Sequence, residues 1–220
     1  MSYTLLRADG FGSTCVEAAL ELLGHEYERV DANPLGSEDE KARIRAINPL
    51  VQVPTLKLPD GRIMTESAAI LIYLGDLDGT YAFAPRPDDP ARMPYLRWLG
   101  FLSSAFYPTF TVTDGPERFH PDPATHPVLL EQANERRKQL WLTLEQAFAD
   151  APGPFLLGET LSLLDVYVAM MSYWSPRRDW FETHCPRLLA AVQACETHKV
   201  IRPVFERNYQ ENFKAEAASV

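Results

Sequence analysis

Residues 52–74 read QVPTLKLPDGRIMTESAAILIYL, and this stretch decides the fold. Residues 55–58 alternate polar and apolar, Pro59-Asp60-Gly61 supplies turn chemistry, and residues 62–65 return as a second short run, which is the pattern of a β-hairpin. The period then changes. Ala68, Ile70, Leu71, Ile72, Leu74 and Leu77 crowd most of a helix surface, so a largely buried helix is expected from Ser67 onward. Glu66 and Ser67 stand at its mouth, where open first-turn amides and the positive end of the helix dipole favour a carboxylate or phosphate. Pro54 cannot donate to a strand ladder, so the backbone of Val53 is expected to face a ligand or a sheet edge. Taken alone, the bond before a proline is cis in only about 5–6% of cases.

Upstream, residues 3–8 read as a first strand and Asp9-Gly10-Phe11-Gly12 as a loop whose glycines permit a sharp turn. Ser13 is a candidate N-cap for a helix with the apolar stripe Val16, Ala19, Leu20 and Leu23, ending at Gly24. Residues 27–30 follow as a second strand, with a crossover long enough to make the pair parallel. A thin helix capped by Ser37 or Asp39 is expected to run to Ile47 and stop at Asn48-Pro49. Residues 1–80 thus order as strand, helix, strand, short helix, hairpin and helix, a four-stranded α/β domain. Residues 81–90 are rich in breakers and poor in period, which marks a linker, and residues 91–220 read as a second, all-helical domain.

Within that second part, residues 91–106 form a helix that Pro108 is expected to bend or end. A proline-bearing loop covers residues 113–127, and loops of that length are often functional. Residues 128–150 read as a long amphipathic helix with Glu131, Glu135, Arg136, Arg137 and Lys138 on its wet face, the basic trio being solvated. Ser162 and Asp165 have the spacing of a capping box, opening a helix that is apolar nearly all round as far as Trp174. Helices over residues 186–197 and 202–213 complete the layer, and the tail over 214–220 is expected to fray.

The formal charge of −9 argues against nucleic acid or an anionic membrane as the main partner, and is compatible with a local basic pocket for an acidic small molecule. No apolar run approaches the roughly 20 residues needed to span a bilayer. The start of the chain lacks the charged and small-residue pattern of a secretory signal, so a cytoplasmic location is the default expectation. Cys15, Cys185 and Cys195 are far apart and form no C-x-x-C pair, and no two histidines are spaced i,i+4, so neither a disulfide framework nor a metal site is expected.

Jointly these residues resemble the cytosolic glutathione S-transferases over essentially the whole chain. Asn48-Pro49-x-x-Gln52-Val53-Pro54-x-Leu56 is similar to the family's N-P-x-G-x-V-P-x-L signature, with Val51 where glycine is usual. Glu66-Ser67-x-Ala69-Ile70 resembles its E-S-x-A-I signature, and Ser162-x-x-Asp165 its second-domain capping box. The resemblance implies a thioredoxin-like domain followed by an all-helical bundle, a homodimer, and glutathione as substrate with no separate cofactor. It also implies a cis bond before Pro54, Val53 backbone groups paired with the cysteinyl part of glutathione, and the γ-glutamyl end held by Glu66 and Ser67. Gln52 adds a contact, and Lys41 or Arg45 meets the glycyl carboxylate. Asp165 is structural.

The implied chemistry needs a thiolate. A thiol of pKa about 8.5 is about 3% ionised at pH 7, whereas one of about 6.5 is roughly three quarters ionised, a difference of about 2.7 kcal/mol. One hydroxyl donor together with a helix N-terminus supplies that much. Ser13, Thr14 and Cys15 are the candidates, and Ser13-Thr14-x-Val16 is similar to the start found in serine-type members. With the spacing of the bacterial beta class, their cysteine falls instead on Gly12, and a backbone amide takes its place. A small hydrophobic electrophile is expected against Phe106, Tyr107, Phe110 and Trp174, with Tyr107 where the beta class has a histidine facing the site. Two other readings stay open: a thiol transferase or reductase using Cys15, and a binding or scaffold protein that keeps the fold without the chemistry.

Overall fold

The computed structural model describes residues 2–77 and 79–213, so the 214–220 tail lies outside the described residues. Its sheet is built from β1 (Tyr3–Arg7), β2 (Tyr27–Asp31), β3 (Thr55–Lys57) and β4 (Ile63–Met64), in the order β2-β1-β3-β4. β1 runs parallel to β2, with Leu5 opposite Arg29, and antiparallel to β3, with Leu5 opposite Leu56. The parallel pair is joined by α1 (Ser13–Leu22), since a tight turn cannot reverse the chain twice. α2 (Glu38–Arg45) begins at a capping box in which Ser37 Oγ accepts from the Glu40 amide and the Glu40 carboxylate accepts from the Ser37 amide.

Between α2 and β3 the chain is fixed by Asn48, whose Nδ2 donates to Gln52 O at 3.1 Å and to Thr55 Oγ1 at 3.0 Å. This segment holds the cis Val53–Pro54 bond and places Val51 at φ 54, the left-handed region where a glycine is the least strained choice. The hairpin of β3 and β4 then delivers the chain to α3 (Ser67–Leu77).

Residues 79–91 pass without helix or strand to α4 (Arg92–Phe101), and Arg92 pairs with Asp76 of α3 at 2.6 Å. Pro108 does not end the helical run. A π-helical turn, Leu102–Phe106, shifts the hydrogen-bond register and the helix restarts as α5 (Tyr107–Asp114), so Pro108 falls in a first turn where its missing N–H is not needed. α6 (His126–Ala147), α7 (Leu163–Met171), α8 (Arg178–His184), α9 (Pro186–Glu196) and α10 (Ile201–Asn208) follow, α8 being a helix that the periodicity did not indicate.

α1 packs on α3, α7 and α10, so the sheet and the helical bundle are not separated by water. A single core runs from Leu5 and Leu56 through Val16 and Leu71 to Tyr167 and Trp141. No helix among the described residues is long and apolar enough to cross a membrane.

Candidate active site

A cavity of about 730 Å³ opens where the sheet end meets α5, α6 and α7. One wall is the loop before α1 together with Gln52, Val53, Pro54, Glu66 and Ser67; the other carries Tyr107, Phe110, Tyr167 and Trp174. Val53 makes no backbone hydrogen bond within the described residues, which leaves its N–H and C=O open to the cavity. Glu66 sits at φ 67 immediately ahead of α3, a left-handed turn that brings its side chain to the helix mouth. The Ser67 and Tyr167 hydroxyls lie 2.8 Å apart and tie α3 to α7 under the cavity. Gln52 reaches the wall with its side chain exposed, its carbonyl already engaged by Asn48 and Thr55.

Tyr107 occupies the joint between the two walls. Its hydroxyl is buried and meets no hydrogen-bond partner of good geometry among the described residues, although the Ser67 and Tyr167 hydroxyls are near. Burial, reinforced by Tyr167, pushes the phenol well above its usual range, so it stays a neutral donor. The hydroxyl rests on Gly12: a Cβ built there would collide with it, with Pro54 Cδ only 3.7 Å away. Phe110 and Trp174 pack edge to face with ring centroids 5.0 Å apart, and Trp174 Nε1 donates to Gly10 O at 2.8 Å, holding the glycine loop against the aromatic wall.

The three side chains expected at the start of α1 are turned away from the cavity. Ser13 Oγ both donates to Ala8 O at 3.1 Å and accepts from Ala8 N at 3.2 Å, so it stitches the loop rather than capping the helix, whose N-cap is Gly12. Thr14 Oγ1 donates to Asn208 Oδ1 on α10 at 3.1 Å. Cys15 Sγ points back to Gly12 O at 3.2 Å, and burial pushes its thiol far above its ordinary value. All three are fully buried and none lines the cavity, so the structure does not bring the residues expected to meet the thiol to the cavity wall.

Two more of the expected residues lie away from the cavity wall. Lys41 is paired with Glu38 at 2.9 Å along α2 and neither it nor Arg45 reaches the cavity wall. Phe106 is fully buried against Trp141, with ring centroids 4.6 Å apart, and belongs to the core. Asp165 accepts from Ser162 N and Leu156 N, each at 2.8 Å, and from Ser162 Oγ at 2.7 Å, which anchors the start of α7.

Sequence reasoning missed Arg137, which is not solvated but 1% exposed and on the cavity wall. The signal was present: Ala133, Arg137, Leu140, Trp141 and Leu144 follow the spacing of one buried helical stripe. Arg118 and Arg177 are also on the wall. Among the described residues no cluster of His, Cys, Asp or Glu has the arrangement needed to hold a metal ion.

Comparison with known proteins places the chain among glutathione S-transferase-like proteins. Residues 13–77 match the family model described as the glutathione S-transferase N-terminal domain. The chain is 36% identical over 201 residues to an uncharacterized GST-like protein of Escherichia coli strain K12, covering 90% of this chain and 95% of that one. A glutathione transferase homolog from sulfitobacter, solved with bound glutathione, superimposes with a TM-score of 0.83 at 23% identity, over 94% of this chain and 98% of that one. A sphingomonad glutathione S-transferase complexed with glutathione gives 0.76 at 23% identity, over 93% and 98%.

Proposed function

The chain belongs to the glutathione S-transferase family, and from that we propose that it binds glutathione along the Gln52–Ser67 wall and joins it through its thiolate sulfur to a small electrophile whose apolar body lies on the aromatic wall, the new S–C bond replacing a leaving group or adding across an activated double bond. The observation that carries the reading is the meeting of both walls in one cavity at the Tyr107 hydroxyl, a buried donor still short of an acceptor. A buried hydroxyl left without a partner costs about 1–3 kcal/mol, and a thiolate seated between Tyr107 and the open amides at the start of α1 would remove that cost. The same contacts lower the thiol pKa, because both favour the charged form.

On this reading the γ-glutamyl carboxylate meets the mouth of α3 and the Ser67 hydroxyl, while Glu66 accepts from the ammonium group. Val53 pairs its open backbone groups with the cysteinyl residue, and Gln52 lies alongside. Tyr107 takes the role first sought at Ser13. Phe110 and Trp174 take the apolar body of the electrophile and exclude water from the attacking sulfur. The homodimer and the cytoplasmic location expected from the sequence are part of the same proposal.

The thiol-transferase alternative has weaker support, since Cys15 has neither exposure nor a depressed pKa. The scaffold alternative leaves the open Val53 backbone and the Tyr107 donor without a purpose. Retention on immobilised glutathione and conjugation of a chloronitrobenzene test the proposal together. A folded protein that does neither is not a transferase.

A further inference from the structure

We propose that the electrophile end of the cavity is an acid-binding subsite formed by Arg137, Arg118 and Arg177, and that the ligand it takes is an aromatic or unsaturated compound carrying a carboxylate. That this ligand is the electrophile rests on the transferase reading; the subsite itself does not.

The argument begins with Arg137. Its Nε donates to Thr109 Oγ1 at 3.0 Å, its Nη2 to Thr109 O at 2.8 Å and Thr113 Oγ1 at 3.0 Å, and its Nη1 to Asn134 Oδ1 at 2.9 Å. Every one of these partners is neutral. The other fully buried arginine, Arg7, is surrounded by Asp9, Glu17 and Asp31, as a buried cation requires. Arg137 has no carboxylate within ion-pair distance among the described residues, and desolvation pulls its pKa down to about 10. A cation built into a pocket wall without its counter-ion is completed by an anion in the pocket.

Two exposed arginines stand at the rim of the same cavity. Arg118 and Arg177 also lack an ion-pair partner among the described residues, in a chain whose acidic side chains outnumber basic ones by 30 to 21. Arg118 reaches only backbone carbonyls of Gly115 and Thr111, each at 3.4 Å. Of the acidic residues on the cavity wall, Glu66 lies at the α3 mouth, and Asp114 is the one that faces Arg137 and Arg118. With Arg137 buried in the wall and Arg118 and Arg177 exposed at the rim, the cavity mouth is locally positive on a chain of net charge −9 and concentrates small anions there.

The chemical class follows from what surrounds the charge. The Arg137 guanidinium carbon lies 3.8 Å from the centroid of Phe110, which in turn packs on Trp174. An anion with a flat apolar body fits this surface, its ring on Phe110 and Trp174 and its carboxylate toward the arginines. A bare inorganic anion would leave the aromatic wall wet.

The test is a calorimetric titration of the full chain with two unreactive probes, 3-nitrobenzoate and 3-nitrobenzamide, with and without glutathione. Arg118→Met/Arg177→Met removes two charges from the rim without disturbing the buried Arg137 network. The benzoate should bind about tenfold more tightly than the amide, and the double substitution should shrink the gap to about twofold, as should high salt. Glutathione affinity should not change. Equal binding of the two probes by the unsubstituted protein overturns the proposal, as does a gap that survives the double substitution. Loss of glutathione binding in the variant also overturns it, because the arginines would then serve the glycyl carboxylate. A chain that neither binds nor uses glutathione yet keeps the benzoate preference refutes the transferase reading and leaves the subsite standing.

Discussion

The Tyr107 hydroxyl rests on the α-carbon of Gly12, in the space that any side chain at position 12 would fill. The two positions are therefore coupled: a residue with a Cβ at 12 and a tyrosine at 107 cannot both keep these places. Tyr107→Phe keeps the packing on Trp174 and removes only the donor. A hydrogen bond to a charged group contributes about 1.5–3 kcal/mol, so the pKa of bound glutathione should rise by one to two units. Turnover should fall about tenfold or more near pH 6.5 and converge with the unsubstituted protein at high pH, where the thiol ionises unaided. Gly12→Ala should act in the same direction by displacing the ring. An ultraviolet thiolate titration that does not move in Tyr107→Phe removes Tyr107 from the role.

Cys15 should be chemically silent. Its sulfur is fully buried, directed at Gly12 O, and burial raises the thiol pKa, so almost no thiolate forms at neutral pH. Cys185 is pushed up to about 12 by the same cause. Iodoacetamide at pH 8 should leave the native protein unmodified by mass spectrometry and should alkylate Cys15, Cys185 and Cys195 only after unfolding. Cys15→Ala should keep conjugating activity within about twofold, the range expected for a small volume change at a side chain that does not line the cavity. Rapid alkylation of Cys15 in the native state would restore the thiol-transferase reading.

The residues that were legible in the sequence are those whose signals are local. The turn chemistry of Pro59-Asp60-Gly61 and the change of period at Ser67 define the hairpin and α3 without reference to the rest of the chain. The departure at Val51 is legible too, since the backbone there is left-handed, as a glycine position would be, and the valine tolerates it with its side chain against Leu6 and Ile44. What escaped depends on facing. Ser13 has the composition of a cap, yet the loop before it turns the hydroxyl onto Ala8. Arg137 lies between charged neighbours in the chain but shares a face with Trp141, and only the 3.6-residue period separates the two descriptions. Phe106 and Tyr107 are adjacent in sequence and point to core and cavity, a division made at the π-helical turn.

Asp114 sets the affinity of the arginine wall. Desolvation raises its carboxyl above the ordinary value, while Arg137 and Arg118 pull it back. A raised carboxyl pKa means that the proton is taken up earlier as pH falls, and each protonation deletes a negative charge beside the arginines. Binding of 3-nitrobenzoate should therefore strengthen as pH is lowered from 7.5 toward 5. Asp114→Asn should bind the probe about threefold more tightly at pH 7.5, consistent with one partly exposed charge, and should lose the pH dependence. Calorimetry at three pH values decides it: a variant that still strengthens on acidification assigns the effect to another group.

Glu17 gathers a cluster of arginines between α1, α10 and the sheet. It is fully buried on α1 and lies 2.8 Å from Arg207 Nε, 3.0 Å from Arg29 Nε and 3.7 Å from Arg7 Nε, while Asn208 Nδ2 donates to it at 3.0 Å. These contacts join α1 to α10 and to the sheet. Glu17→Gln keeps the shape and deletes the buried charge, leaving Arg7 with Asp9 and Asp31 and Arg207 with Glu21. Removing one partner of a buried ion pair costs about 3–5 kcal/mol, a large share of the 5–15 kcal/mol typical of whole domains. Arg29→Gln deletes a half-exposed partner of the same carboxylate and should cost no more than about 1 kcal/mol. Urea unfolding measures both differences. At temperatures where Glu17→Gln remains folded, the pKa of bound glutathione should stay where it was, because Glu17 touches neither Tyr107 nor the cavity. An unfolding midpoint unchanged in Glu17→Gln would mean that the carboxylate is dispensable, and that α10 is held to α1 by apolar packing alone.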